Sequence, residues 1–131
     1  MSEADSAAAD IPSAKPPPRV PRAGEVNVPR PLYAVWELTM KCDQPCEHCG
    51  SRAGPARPSE LSTEEIMRVA DELERLGTRE LALIGGEAYL RPDLPKIVEH
   101  LAKKGMRVSM QTGGRAFHLE RAKMLKNAGL Y

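Results

Sequence analysis

Apolar positions along this chain switch between two periods, and the switching predicts its elements. Residues 32–40 (LYAVWELTM) are apolar or favour extended backbone, which predicts a first strand. A loop kept irregular by Pro45, Gly50, Gly54, Pro55 and Pro58 follows. Ser62 reads as a helix N-cap, with Glu65 three residues on to complete a capping box. Ile66, Val69, Ala70, Leu73 and Leu76 then recur at helical spacing, and Gly77 suits the position just past the helix end. The same two-part unit repeats twice. Residues 81–84 predict a second strand, ending in Gly85-Gly86-Glu87. Leu94, Ile97, Val98 and Leu101 share one face of a second helix, with Pro95 in its first turn and Gly105 at its end. Met106, Val108 and Met110 alternate with Arg107, Ser109 and Gln111 as a third strand. Leu119, Ala122, Leu125 and Ala128 predict a third helix over roughly 117–128, closed by Gly129.

Repeated strand–helix units imply an α/β fold, with a parallel sheet and helices as right-handed crossovers. A closed eight-unit barrel takes about 200 residues or more. Three units in a chain of 131 residues therefore read as the first part of a barrel, truncated over 32–131. Taken alone, such a piece would leave sheet edges unpaired, which favours aggregation. Residues 1–31 have no hydrophobic period and carry seven prolines. Lys15-Pro16-Pro17-Pro18 continues neither a helix nor a central strand, so this segment is expected to be a disordered tail.

Charge and length narrow the function. Lys and Arg total 19 against 18 Asp and Glu, which offers no electrostatic reason to expect nucleic acid or an anionic membrane as a partner. No apolar run is long enough to span a bilayer. Glu3, Asp5 and Asp10 interrupt any secretory signal, so the expected location is cytoplasmic.

All three cysteines fall between positions 42 and 49. Secreted disulfide proteins usually carry an even number, spread along the chain. The segment Cys42-Asp43-Gln44-Pro45-Cys46-Glu47-His48-Cys49 has the spacing C-x3-C-x2-C directly after a predicted strand. Such a loop can wrap three thiolates around one corner of an iron–sulfur cubane. Fe–S clusters ordinarily take four cysteines, so one iron would lack a cysteine of this chain and stay open for chemistry. Two other readings compete. Cys46 and Cys49 alone make a thioredoxin-like pair, which leaves Cys42 unexplained. Zinc accepts three cysteines and a histidine, but His48 adjoins Cys49, a poor position for the fourth tetrahedral corner. His100 and His118 lie on predicted helices, where solvent exposure is expected. The Gly85-Gly86-Glu87 segment ends a strand where barrel active sites form. Glycines there let a ligand approach the backbone, and Glu87 can accept hydrogen bonds from a cation; the plainer reading is a turn with a solvated glutamate.

Together these motifs resemble the radical S-adenosylmethionine (SAM) superfamily. Its signature C-x3-C-x-aromatic-C after strand one is matched by Cys42, Cys46, His48 and Cys49, and its Gly-Gly-Glu after strand two by Gly85, Gly86 and Glu87. Gln111-Thr112-Gly113 is a weaker match to Thr-Asn-Gly after strand three. Asp43-Gln44 stands where Asn-Leu is frequent, and Ala88 where proline is common. Residues 38–42 and 50–52 look most like peptide-modifying maturases of the SPASM type.

The resemblance implies a fold, the partial (β/α) barrel of radical SAM enzymes. It also implies a [4Fe-4S] cluster on Cys42, Cys46 and Cys49, with SAM held by Gly85, Gly86, Glu87 and Thr112 and its adenine near His48. An electron from the cluster would cleave SAM to a 5′-deoxyadenosyl radical that abstracts hydrogen from substrate. A peptide substrate and an electron donor such as a flavodoxin or ferredoxin are implied with it. The alternative is a non-catalytic zinc- or peptide-binding module derived from such an enzyme. Arg52 and Arg91 could meet a carboxylate, although the plainer reading is solvated loop arginines, and Tyr33 and Trp36 read as packing residues.

Overall fold

Three apolar strands and the helical stripes between them assemble into one layer of sheet covered by one layer of helices. The computed structural model describes Gly24 and residues 29–131. The expected disordered tail lies outside the described residues, apart from Gly24 and residues 29–31. The elements are β1 (Tyr33–Glu37), α1 (Thr63–Arg75), β2 (Glu80–Ile84), a 3-10 turn (Ala88–Leu90), α2 (Leu94–Lys103), β3 (Arg107–Met110) and α3 (Leu119–Asn127).

The sheet order is β1-β2-β3, and both pairings are parallel. Val108 makes a further parallel bridge to Leu130, and the Tyr131 N–H donates to the Val108 carbonyl at 2.8 Å, so the chain returns to the sheet on the far side of β3. Register places Ala34, Leu81 and Val108 side by side, and Trp36, Leu83 and Met110 beside them. These residues form the face that packs on the helices, with Ile66, Ala70, Leu94, Ile97, Val98, Leu101 and Leu125 opposite. The side-chain period of two along a strand sends Tyr33, Val35, Ala82 and Ser109 to the other face.

The helix signals hold. The Ser62 hydroxyl accepts from the Glu65 N–H while the Glu65 carboxylate accepts from the Ser62 N–H, the reciprocal box read from the sequence. Pro95 sits in the first turn of α2. Gly77, Gly105 and Gly129 each follow a helix at positive φ, where a side chain would strain the backbone. The expected stripe of α1 is narrower than its spacing suggested. Val69 and Leu76 remain exposed, while Ile66 and Ala70 are buried. Helix α3 starts at Leu119, which is itself exposed, so only Leu125 of its stripe is buried.

The regular part of β1 also stops earlier than expected, at Glu37. Pairing to the β2 side nevertheless continues. Leu38 donates to Ile84, Gly86 donates to Thr39 and Glu87 donates to Lys41, at 3.0, 2.8 and 2.8 Å. The ladder loses regularity because a carboxylate intrudes: Glu60 accepts from the Met40 N–H at 2.8 Å and from the buried Thr39 hydroxyl at 3.0 Å.

Arg91 corrects one expectation. It is not a solvated loop arginine; its side chain is only 12% exposed. It donates to the Leu38 and Leu61 carbonyls at 3.3 and 3.2 Å and to both oxygens of Asp93 at 2.9 and 2.8 Å. It thus ties the exit of β1 to the starts of α1 and α2. Burial pushes the Asp93 and Glu60 carboxyls up, but hydrogen bonds outweigh it. Arg91 and Thr63 hold Asp93 below the ordinary range, and the Met40 and Arg57 N–H groups and the Thr39 hydroxyl do so for Glu60. A carboxyl depressed in the folded state stabilises fully above its unfolded value, and this contribution disappears as pH falls through the folded value. We predict stability that is level near neutrality and declines once pH falls below the ordinary carboxylate range. Urea unfolding of Asp93→Asn across that range should show a shallower decline; an identical slope would remove this pair from the account.

Candidate functional site

The site is assembled where the three strands end. β1 runs out into the cysteine loop, β2 into Gly85-Gly86-Glu87, and β3 into Gln111-Thr112-Gly113. Parallel pairing sends all three exits in the same direction, which is how separate sequence motifs become neighbours.

Gly85 and Gly86 permit that convergence. A Cβ on Gly85 would collide with the Thr39 carbonyl oxygen, and one on Gly86 with the Lys41 carbonyl oxygen and, at 2.8 Å, with Cys42 Cβ. On the side where a Cβ would stand, the chain's own backbone makes the close approach. The glycines press the β2 exit against the β1 exit and set Cys42 beside Glu87.

Glu87 is the hub. It is 3% exposed, so the solvated turn glutamate of the plainer reading does not apply. Its Oε1 accepts from Gln44 Nε2 at 2.8 Å and from the Gly113 N–H at 2.7 Å, and its Oε2 accepts from the Thr112 hydroxyl at 2.5 Å. One carboxylate thus joins all three strand exits. The Thr112 hydroxyl also accepts from the Gly114 N–H at 3.0 Å, which shapes the turn after β3.

The cysteine loop is held by its own backbone and by Tyr89. Cys42 N–H donates to Gly54 at 2.8 Å and Gly54 N–H to Met40 at 2.9 Å, closing the loop base. Arg52 takes a positive φ of 51° on the way back. The Tyr89 hydroxyl donates to Asp43 Oδ2 at 2.8 Å and accepts from the Ala116 N–H at 3.1 Å. Burial raises the Tyr89 phenol, and the Asp43 carboxylate adds to this against the Ala116 bond, so the phenol stays a donor at neutral pH. Arg115 donates to the Asp43 carbonyl at 2.5 Å.

The three cysteines are free thiols. Cys42 and Cys49 are half-buried and Cys46 is exposed. Backbone N–H groups point at two sulfurs: Gln44 at Cys42 Sγ, 3.4 Å, and Ala53 at Cys49 Sγ, 3.5 Å. Among the described residues no three His, Cys, Asp or Glu side chains converge on one metal ion. His48 is exposed and stands outside the Glu87 network, and His118 is exposed. His100 is half-buried and engaged with Asp71 at 2.7 Å.

The model of the Radical SAM superfamily matches residues 36–131. The chain belongs to the radical SAM superfamily. Over 97 residues this radical SAM chain is 38% identical to the Fe-coproporphyrin III synthase of Methanosarcina barkeri, covering 73% of this chain and 24% of that protein. Over 99 residues it is 35% identical to the mycofactocin maturase MftC of Mycobacterium tuberculosis, covering 76% and 25%. Over 104 residues it is 31% identical to the antilisterial bacteriocin subtilosin biosynthesis protein AlbA of Bacillus subtilis, covering 79% and 23%. The chain spans about a quarter of the length of these curated relatives. Maturases of the peptide-modifying type are thus among the radical SAM proteins it resembles, next to a porphyrin-named synthase. No helix among its described residues is long and apolar enough to cross a membrane.

The radical SAM donor set suits a cluster. A cubane asks each cysteine to hold its own iron rather than all three to meet at one ion. Backbone N–H groups aimed at sulfur are the bonds that tune such clusters. Asp43 Oδ1 is buried without a hydrogen-bond partner among the described residues, an acceptor left over between two of the cysteines. Several parts of this site carried no signal in the sequence pattern. Asp43 and Gln44 stand out there only as departures from the family wording, and Glu60 and Tyr89 do not stand out at all.

Proposed function

We propose that this chain is the N-terminal portion of a radical SAM enzyme core. In this reading Cys42, Cys46 and Cys49 hold a [4Fe-4S] cluster, and Gly85, Gly86, Glu87 and Thr112 hold S-adenosylmethionine. The observation that carries it is the meeting of the cysteine loop, the Gly-Gly-Glu segment and the Thr112 turn at one buried carboxylate. When bound, the cluster supplies an electron to the sulfonium and the cofactor supplies the radical that abstracts hydrogen.

The chain's own residues supply position and charge. Glu87, held acceptor-only by its donors, offers the site a negative charge that suits an amino group. Gly85 and Gly86 set the distance between that charge and Cys42. The N–H groups of Gln44 and Ala53 stabilise charge on their sulfurs. His48, exposed on the loop, would flank the adenine. The maturase relatives support a peptide substrate; a flavodoxin- or ferredoxin-like electron donor and a cytoplasmic location complete the proposal.

Anaerobic reconstitution with iron and sulfide tests this reading. A brown protein whose EPR signal changes on adding S-adenosylmethionine is the expected result. Colourless protein that binds zinc tightly would favour the non-catalytic module instead.

A further inference from the structure

We propose that Gln44 is a latch over Glu87 that S-adenosylmethionine must lift before its amino group can pair with that carboxylate. The inference rests on the cofactor reading above and deepens it.

Glu87 is 97% covered, and its cover is the protein itself. Two of its three donors belong to the turn after β3. The third, Gln44 Nε2 at 2.8 Å, reaches across 43 residues from the middle of the cysteine loop. The Gln44 carboxamide fills the space where a Cβ on Gly113 would stand, with its carbonyl carbon at 2.5 Å from that position. It therefore both satisfies the carboxylate and roofs it. A ligand's ammonium cannot reach Oε1 while that amide is in place.

Of the donors, Gln44 is the one able to leave. The Gly113 donor is backbone, fixed by the turn. The Thr112 hydroxyl is anchored by the Gly114 N–H. Gln44 is a flexible side chain whose carboxamide is a neutral donor. The amide bond to the carboxylate is itself charge-assisted, but an ammonium adds direct attraction between opposite charges that a neutral amide lacks, so it displaces the amide. The exchange also keeps Glu87 partnered throughout, which avoids the cost of a bare buried charge. Gln44 consequently lowers the affinity for the cofactor while protecting the empty carboxylate.

The test is a dissociation constant, measured by equilibrium dialysis of S-adenosylmethionine against the anaerobically reconstituted full chain. Gln44→Leu removes the donor and ends one heavy atom short of the amide nitrogen, so it neither bonds the carboxylate nor roofs it. It should bind the cofactor about tenfold tighter, the effect of deleting one competing hydrogen bond to a charged group, with iron and sulfide content unchanged. Gln44→Asn, too short to reach Glu87, should move in the same direction. A second readout needs no cofactor: the Gly113 amide, bonded to Glu87 beneath the carboxamide, should exchange its hydrogen faster in Gln44→Leu. Equal or weaker binding in both variants, with the cluster intact, overturns the latch alone. No binding by wild type or variant with the cluster assembled overturns the cofactor reading and the latch with it.

Discussion

Cys46→Ala should strip anaerobically reconstituted protein of its iron and sulfide. In the proposed site-open cubane the three thiolates would each hold a separate iron, and the remaining iron would have no cysteine of this chain. Losing one thiolate leaves two anchors for a cluster that ordinarily takes four. Cys46 is the most exposed of the three. Its loss leaves the loop base intact, since the bonds between Met40, Cys42 and Gly54 do not involve it. The protein should therefore stay folded, with unchanged circular dichroism, while iron and sulfide fall from about four each per chain to near zero. His48→Ala sharpens the comparison. Under the cluster reading it retains iron and sulfide, because the imidazole is not a ligand. Under a zinc reading with three cysteines and a histidine it would lose metal. Unaltered iron and sulfide in Cys46→Ala would end the ligand assignment.

Gly86→Ala should cost about 3 kcal/mol of stability, the upper part of the usual range for overpacking. The added methyl meets the Lys41 carbonyl group and Cys42 Cβ. Neither is the far end of a flexible side chain, so the β1 and β2 exits must move apart. The bonds from Gly86 to Thr39 and from Glu87 to Lys41, both 2.8 Å, cross that same seam. Displacing them carries Cys42 away from Glu87, so poor cluster retention should accompany the lost stability. Gly50→Ala is the control. That glycine has nothing within 4 Å of a built Cβ, and the change should stay within about 0.5 kcal/mol. Denaturant midpoints at unchanged slope measure both. A Gly86→Ala variant as stable as Gly50→Ala would mean that the seam yields without cost.

The element order was legible because it depends on local signals. The Ser62–Glu65 box, the Pro95 first turn and the glycines after each helix act within a few residues, and each appears in the fold as read. The stripe Leu94, Ile97, Val98 and Leu101 is buried as a unit because α2 lies between its two neighbours over the sheet. The stripes of α1 and α3 were over-read. Spacing shows which residues share a face but not how much of that face a neighbour covers, and Val69, Leu76 and Leu119 lie beyond the covered part.

The functional motifs were legible for a different reason. Three cysteines in one short loop and a Gly-Gly-Glu at a strand end are rare enough together to mark a family. What the glycines do was not legible. The sequence does not show that they also admit the backbone at Thr39 and Lys41. Glu60 and the enclosure of Arg91 were not legible because several of the groups they bind are 20 to 53 positions away in sequence, beyond the reach of any periodic pattern.

The amino-acid sequence by itself determined the alternation of strands and helices, the caps, and the inventory of thiolates and glycines. These follow from short-range sterics and from side-chain chemistry, which a residue carries wherever it is placed. Only the tertiary structure decided that Gln44, Thr112 and Gly113 would all donate to Glu87 and that Arg91 would be enclosed. Parallel pairing brings distant strand ends together, and a carboxylate taken out of water must then gather whatever donors that meeting supplies.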